Sequence, residues 1–170
     1  GKPERLTTGS DFEFEPSFSP NGQEIVYVTW NDDETGTISK ISLKDKKITK
    51  LNRNKGIFRG PGYSPDGRSI VYWKEDGNDH QGSAYSMDPG IYTIPASGGS
   101  QTLVTKEGHS PSFTPDGKRI WFHSGEGDGY AFKSCDLAGN EKQTHFTSSY
   151  SGVFSPSPDG KFVAFIELYK

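Results

Sequence analysis

The chain has one cysteine, one methionine, four histidines, no marked excess of either charge and no apolar run long enough to cross a bilayer. Each scarcity excludes something. A single cysteine, Cys135, rules out an internal disulfide framework, and its place in the strand-like run YAFKSCDL makes it a small buried hydrophobe. The histidines His80, His109, His123 and His145 show neither HExxH nor His-x-His spacing, so no two of them converge on one metal ion by sequence. Nineteen Lys and Arg against 22 Asp and Glu give a net charge of −3, with the basic residues interspersed among acids, which leaves no footprint for nucleic acid. No apolar segment is long enough to insert in a membrane, and no signal segment is present. The chain starts at Gly1 without a methionine and reads as a processed or excised segment. Two motifs are also missing: the GxSxG elbow of acyl transfer and the GxxxxGKS phosphate loop.

What the chain does have is glycine, proline and aromatics: 21 Gly, 11 Pro and 13% Phe, Trp and Tyr, against 30% hydrophobic residues overall. That mixture describes many short strands joined by tight turns. The apolar residues fall in regular clusters, which separates the chain from a disordered one.

The clusters repeat. PSFSPNGQEIVYV, PGYSPDGRSIVYW, PSFTPDGKRIWFH and, more loosely, VFSPSPDGKFVAFI each place an apolar run on both sides of a proline-led turn. The turn prolines Pro20, Pro65, Pro115 and Pro158 recur at intervals of 45, 50 and 43 residues, the period of a four-stranded propeller blade. The proline presets φ, Asn21, Asp66, Asp116 or Asp159 bonds its own backbone, and Gly22, Gly67, Gly117 or Gly160 takes positive φ. These acids are therefore read as turn residues and not as catalytic or metal-binding groups.

Aligned on the turn proline, one column holds Ile25, Ile70, Ile120 and Val163, another Tyr27, Tyr72, Phe122 and Phe165, and the one between them Val26, Val71, Trp121 and Ala164. Apolar residues on both alternating faces mean a strand covered on both sides, as where one blade packs between two others. The expected architecture is all-β: a partial β-propeller of four-stranded antiparallel blades. Residues 1–8 are the outer strand of a preceding blade, 12–52, 58–106 and 109–148 are whole blades, and 152–170 are the first half of another. The third strand of the first blade, GTISKISL, alternates weakly and is expected to be less buried. Bare faces and edges at the two ends of such a stack predict self-association unless a partner or the rest of a parent chain covers them.

The repeats PSFSPNGQEIVYV, YSPDGRSIVYW and FTPDGKRIWF resemble those of TolB-like β-propellers: an aromatic, Ser-Pro-Asp-Gly, a basic residue and an apolar strand. The resemblance covers nearly the whole chain. It implies the propeller and an exported, periplasmic setting, but it is poor for function, since this repeat occurs in TolB, in peptidase-associated propellers and in other exported bacterial proteins. DFEFEPSFSPNGQEIVYVTWNDDETG and SMDPGIYTIPASGG are further similar to the propeller preceding an amidohydrolase domain in large exported bacterial proteins. That similarity implies a fragment of a longer enzyme with its metal site elsewhere. Pro156 and Asn21 depart from the repeat pattern without threatening the fold.

No catalytic constellation emerges. His123 occupies a core column with Val28, Trp73 and Ile166 and is expected to be hydrogen-bonded there; His109, at a blade entry, and His80, in the insertion EDGNDHQGSAYSMD, are expected in solvent. The best functional surface is a pair of acidic loops at equivalent repeat positions: Trp30, Asp32, Asp33 and Glu34 in one, Asp76, Asp79 and His80 in the other. Clustered on one mouth, their oxygens suit a calcium ion or a basic protein or peptide partner, with Trp30 as an anchor. Polar loops of a soluble protein are also simply charged. The expected function is a non-catalytic scaffold or interaction module; the alternative is an accessory propeller that orients or gates substrate for an amidohydrolase or peptidase domain.

Overall fold

A computed structural model describes residues 2–76, 86–149 and 154–166, and these contain strands and turns but no helix. The first sheet takes β1 (Phe12–Phe18), β2 (Glu24–Asn31), β3 (Thr35–Ser42) and β4 (Ile48–Lys50) in chain order, every neighbour antiparallel. The second repeats this with β5 (Ile57–Tyr63), β6 (Ser69–Glu75), β7 (Gly90–Pro95) and β8 (Thr102–Thr105). The third has β9 (His109–Phe113), β10 (Arg119–Glu126), β11 (Gly129–Asp136) and β12 (Gln143–Ser148), and a two-stranded sheet follows with β13 (Phe154–Pro156) and β14 (Val163–Phe165). The first strand of each full sheet packs on the face of the sheet before it, β5 against β1, β2 and β3, and β9 against β5, β6 and β7. The fold is all-β with propeller-like stacking of four-stranded blades.

The turn that opens each repeat closes in the same way four times. The hydroxyl of Ser19, Ser64, Thr114 or Ser157 donates to Asn21, Asp66, Asp116 or Asp159 at 2.6–2.8 Å and accepts a backbone N–H five residues on. The Asx oxygen also accepts the N–H two residues beyond it at 3.0–3.2 Å. These bonds favour the ionised form, so the carboxyls of Asp66, Asp116 and Asp159 all lie below the usual aspartate range. Every turn glycine has φ between 67° and 72°, where a Cβ is strained.

Strand alternation divides the core between sheets. Ile70 and Tyr72 of β6 face back and join Val26, Val28, Ile38 and Phe58; the intervening Val71 and Trp73 face forward and join Ile120, Phe122 and Cys135. Full burial of each large apolar side chain stabilises the fold by about 1.5–3 kcal/mol. A third interface is aromatic, with Phe146 4.9 Å from Phe154 and from Phe165, ring centre to ring centre.

One local expectation is corrected. β3 is well buried, with Ile38, Ser39 and Ile41 at 2% exposure or less, because it lies inside the sheet between β2 and β4 while β5 covers one face. Residues 2–8 carry no strand pairing; Arg5, Leu6 and Thr7 lie against Phe14, Ile25, Tyr27 and Ile41 around a cavity of about 340 Å³.

Candidate functional site

Antiparallel pairing brings Phe12 opposite Trp30 and Ile57 opposite Glu75, so the start of each first strand, the end of each second strand and the loop that follows share one end of the sheets. This end is the mouth. At its first sheet, Asn31 organises the acidic loop: its Oδ1 accepts the N–H groups of Asp33 and Glu34 at 3.1 and 2.6 Å, and its Nδ2 donates to Asp11 at 3.3 Å. The Trp30 indole N–H donates to Asp32 Oδ1 at 3.1 Å, which fixes a half-buried ring beside exposed carboxylates. Lys50 hydrogen-bonds Glu34 and holds its carboxyl below the usual glutamate range. Asp76 follows β6 at the same end; Asp79 and His80 lie outside the described residues. Asp32 and Asp33 are exposed on the first loop and make no ion pair among the described residues, and Phe12, the ladder partner of Trp30 at the same end, is 74% exposed.

A second constellation, not anticipated from sequence, runs across the first strands. In each of them one X-Pro pair drops out of the ladder: Glu15-Pro16, Gly60-Pro61 and Ser110-Pro111, with φ of 53°, 54° and 50° at the first residue. The bulge accommodates a proline that lacks an N–H, and it turns the preceding residue out of the sheet. Glu15 thereby reaches the next sheet. Its Oε1 accepts from Arg59 Nε at 2.7 Å and its Oε2 from the Gly60 N–H, freed by the second bulge, at 2.6 Å. Arg59 also meets Glu75 at 3.1 Å and sits 5.8 Å from the centre of the Trp73 ring. The Glu15 hydrogen bond raises the Arg59 pKa, so the guanidinium stays charged.

From Trp73 the chain of rings continues to His109, 5.4 Å away, and then to His123 at 5.5 Å. His123 is buried with Nε2 3.1 Å from the Phe154 carbonyl oxygen, in the hydrogen-bonded core position its sequence column indicates. His109 departs from its expectation of a solvated site: it is half-buried, and desolvation pushes its pKa down. Its Nδ1 lies 3.1 Å from Ser110 Oγ. Among the described residues no carboxylate pairs with this histidine, so a nucleophile, a base and an orienting acid are not assembled. Nor do three or more His, Cys, Asp or Glu side chains converge for a metal among the described residues. Cys135 is fully buried and its thiol pKa is raised, chiefly by burial, as expected of an inert core residue. The aligned Pro16, Pro61 and Pro111, each four residues before a turn proline, were the available signal for the bulges.

A family model of the TolB beta propeller domain matches residues 2–170. The chain belongs to that family. Over 196 aligned residues, this TolB propeller segment is 33% identical to the Tol-Pal system protein TolB of Francisella tularensis subsp. mediasiatica (strain FSC147), covering 89% of the chain and 44% of that protein. Among solved structures, TolB from Acinetobacter baumannii matches with a TM-score of 0.74 and 22% identity over 98% of the chain and 40% of its own. Oligogalacturonate lyase in complex with manganese matches with a TM-score of 0.73 and 14% identity, over 92% and 47% respectively. At these identities the two structures show the fold alone. The TolB propeller segment spans less than half the length of the curated relatives it matches.

Proposed function

We propose that this TolB-like propeller segment is a non-catalytic interaction module of an exported, periplasmic bacterial protein, docking a basic protein or peptide on its acidic mouth. The observation that carries the reading is the pairing of Phe12, 74% exposed, with Trp30 at the end where Asp32 and Asp33 face solvent. An exposed aromatic beside a ring pinned by its own carboxylate offers apolar contact area ringed by negative charge. The similarity to a Tol-Pal system protein supports a protein partner. A calcium ion on the acidic loops is the competing occupant, and the spent hydrogen bonds of Asp32 and Glu34 favour the protein.

The exposed apolar side chains of the last sheet's end, Phe162 and Ile166, are a surface for a second copy or the remainder of a parent chain. The reading as a propeller that precedes an amidohydrolase domain rests on the sequence stretches 11–36 and 86–99. Paired metal-binding histidines in the parent reading frame beyond Lys170 would establish it.

The test is quantitative retention from periplasmic extract on the immobilised protein and on its Asp32→Lys/Asp33→Lys variant. Loss of the retained partner on charge reversal supports the mouth; unchanged retention removes it.

A further inference from the structure

On the outer rim, where the chain leaves β4 and the β7–β8 loop of the second sheet comes against the first, lies a polar cavity of about 420 Å³. Asn52, Arg53, Asn54, Gly99, Ser100 and Gln101 line it. The geometry points to this cavity as a binding site for a small organic oxyanion, a molecule carrying a carboxylate or a phosphate group.

The lining is rich in donors, and two of its three side-chain amides, those of Asn52 and Gln101, have already given their oxygens to the rest of the fold. Asn52 Oδ1 accepts the Ile38 N–H at 2.6 Å, and Gln101 Oε1 accepts the hydroxyl of the fully buried Tyr72 at 2.8 Å. Both amides are thereby oriented, and the nitrogen of Gln101 is left to donate. Asn52 Nδ2 donates to the Asn54 carbonyl at 2.9 Å, which shapes the turn that presents Arg53. Arg53 makes no ion pair among the described residues, unlike Arg59 and Arg119, and no Asp or Glu lines the cavity. An unpaired guanidinium with its planar fork of donors is suited to two oxygens of a carboxylate or phosphate.

The facing wall is held in place. Gly99 N–H donates to the Leu51 carbonyl at 3.2 Å, Gly98 N–H to the Pro95 carbonyl at 2.8 Å, and Leu51 is itself buried. Gly98 has φ of 83°, and a Cβ there would stand 3.3 Å from the Leu51 oxygen. Two sheets thus supply the two walls through fixed backbone contacts. The volume exceeds that of a bare ion and suits a molecule of several heavy atoms. The site is independent of the mouth and of whatever the mouth binds.

The experiment is an amide NMR titration of the protein with sodium phosphate and, separately, sodium citrate, against sodium chloride at matched ionic strength. Saturable shifts at Asn54, Ser100 and Gln101 are expected with phosphate, citrate or both. Arg53→Ala should weaken that binding at least tenfold, while Lys55→Ala changes it less than twofold. Saturation by phosphate alone identifies phosphate esters as the ligand class, and by citrate alone carboxylates. Resonances of the turn glycines Gly22 and Gly117, unmoved in Arg53→Ala, confirm that the variant is folded. Linear shifts, equal shifts with chloride, or equal losses in the two variants would overturn the assignment.

Discussion

The turn glycine Gly117 rests against the turn proline Pro65 of the preceding sheet, close enough that a methyl on Gly117 would stand 3.5 Å from Pro65 Cδ. The same approach recurs between Gly67 and Pro20, at 3.8 Å, and between Gly160 and Pro115, at 3.0 Å. The Pro-Asx-Gly corners therefore stack on one another in register with the sheets. They are inter-blade contacts as well as turns.

Alanine at these glycines separates the two roles. Gly22→Ala meets nothing within 4 Å and carries only the left-handed backbone strain, about 1–2 kcal/mol. Gly160→Ala adds a methyl 3.0 Å from Pro115 and 3.1 Å from Trp121, so it should cost more than Gly22→Ala in urea denaturation. Equal losses would refute the stacking.

Arg59 is the hub of the first inter-sheet polar contact, held by Glu15 and Glu75 while about a third exposed. Arg59→Met should destabilise by about 1 kcal/mol, the charge-assisted bonds being discounted for solvent screening, and the difference from the parent protein should shrink in 1 M salt. Glu15→Gln, which keeps an acceptor for the Gly60 N–H, should cost less.

Packed between Trp73 and His123, His109 is desolvated and its pKa falls below the ordinary 6.5. The unfolded chain then binds a proton at higher pH than the native one, so this part of the stability is present above about pH 6.5 and is lost as pH falls through the native value. His109→Phe should flatten the fall in stability below pH 6.5. His145, shifted the same way by burial and by Arg119, should leave a residual slope.

Phe122 and Phe12 test how strictly the strand columns divide inside from outside. Phe122 is fully buried in the second interface, and its truncation to alanine should cost about 3–5 kcal/mol. Phe12→Ala removes an exposed ring and should change stability by less than about 0.5 kcal/mol. In the proposed function it should weaken partner retention without that loss.

The repeat was legible in the sequence because each residue of its turn has its own backbone chemistry: Pro20 or Pro65 fixes φ, Asn21 or Asp66 bonds the strand that follows, and Gly22 or Gly67 takes the positive angle. The alternation of Val71 with Ile70 and Tyr72 gave the two-sided burial. Relationships between sheets were not legible. Glu15 meets Arg59 and Gly60 from the preceding repeat, and nothing local to either marks the other as a partner. His109 reads as a solvated loop residue until Trp73 of the previous sheet is placed beside it. The burial of β3 was hidden because Thr37 and Ser39 are polar yet buried. The acidic loop was found, but the Lys50 contact that neutralises Glu34 comes from a strand 16 residues away.

Stacking of successive sheets through opposite faces of β6 can be measured most directly by side-chain NOEs from two adjacent residues. The Tyr72 ring should show contacts to Val28 or Ile38 of the first sheet and none to Phe122 of the third, while the Val71 methyls contact Phe122 and neither Val28 nor Ile38. NOEs from both residues to the same neighbouring sheet would contradict a propeller arrangement of these repeats.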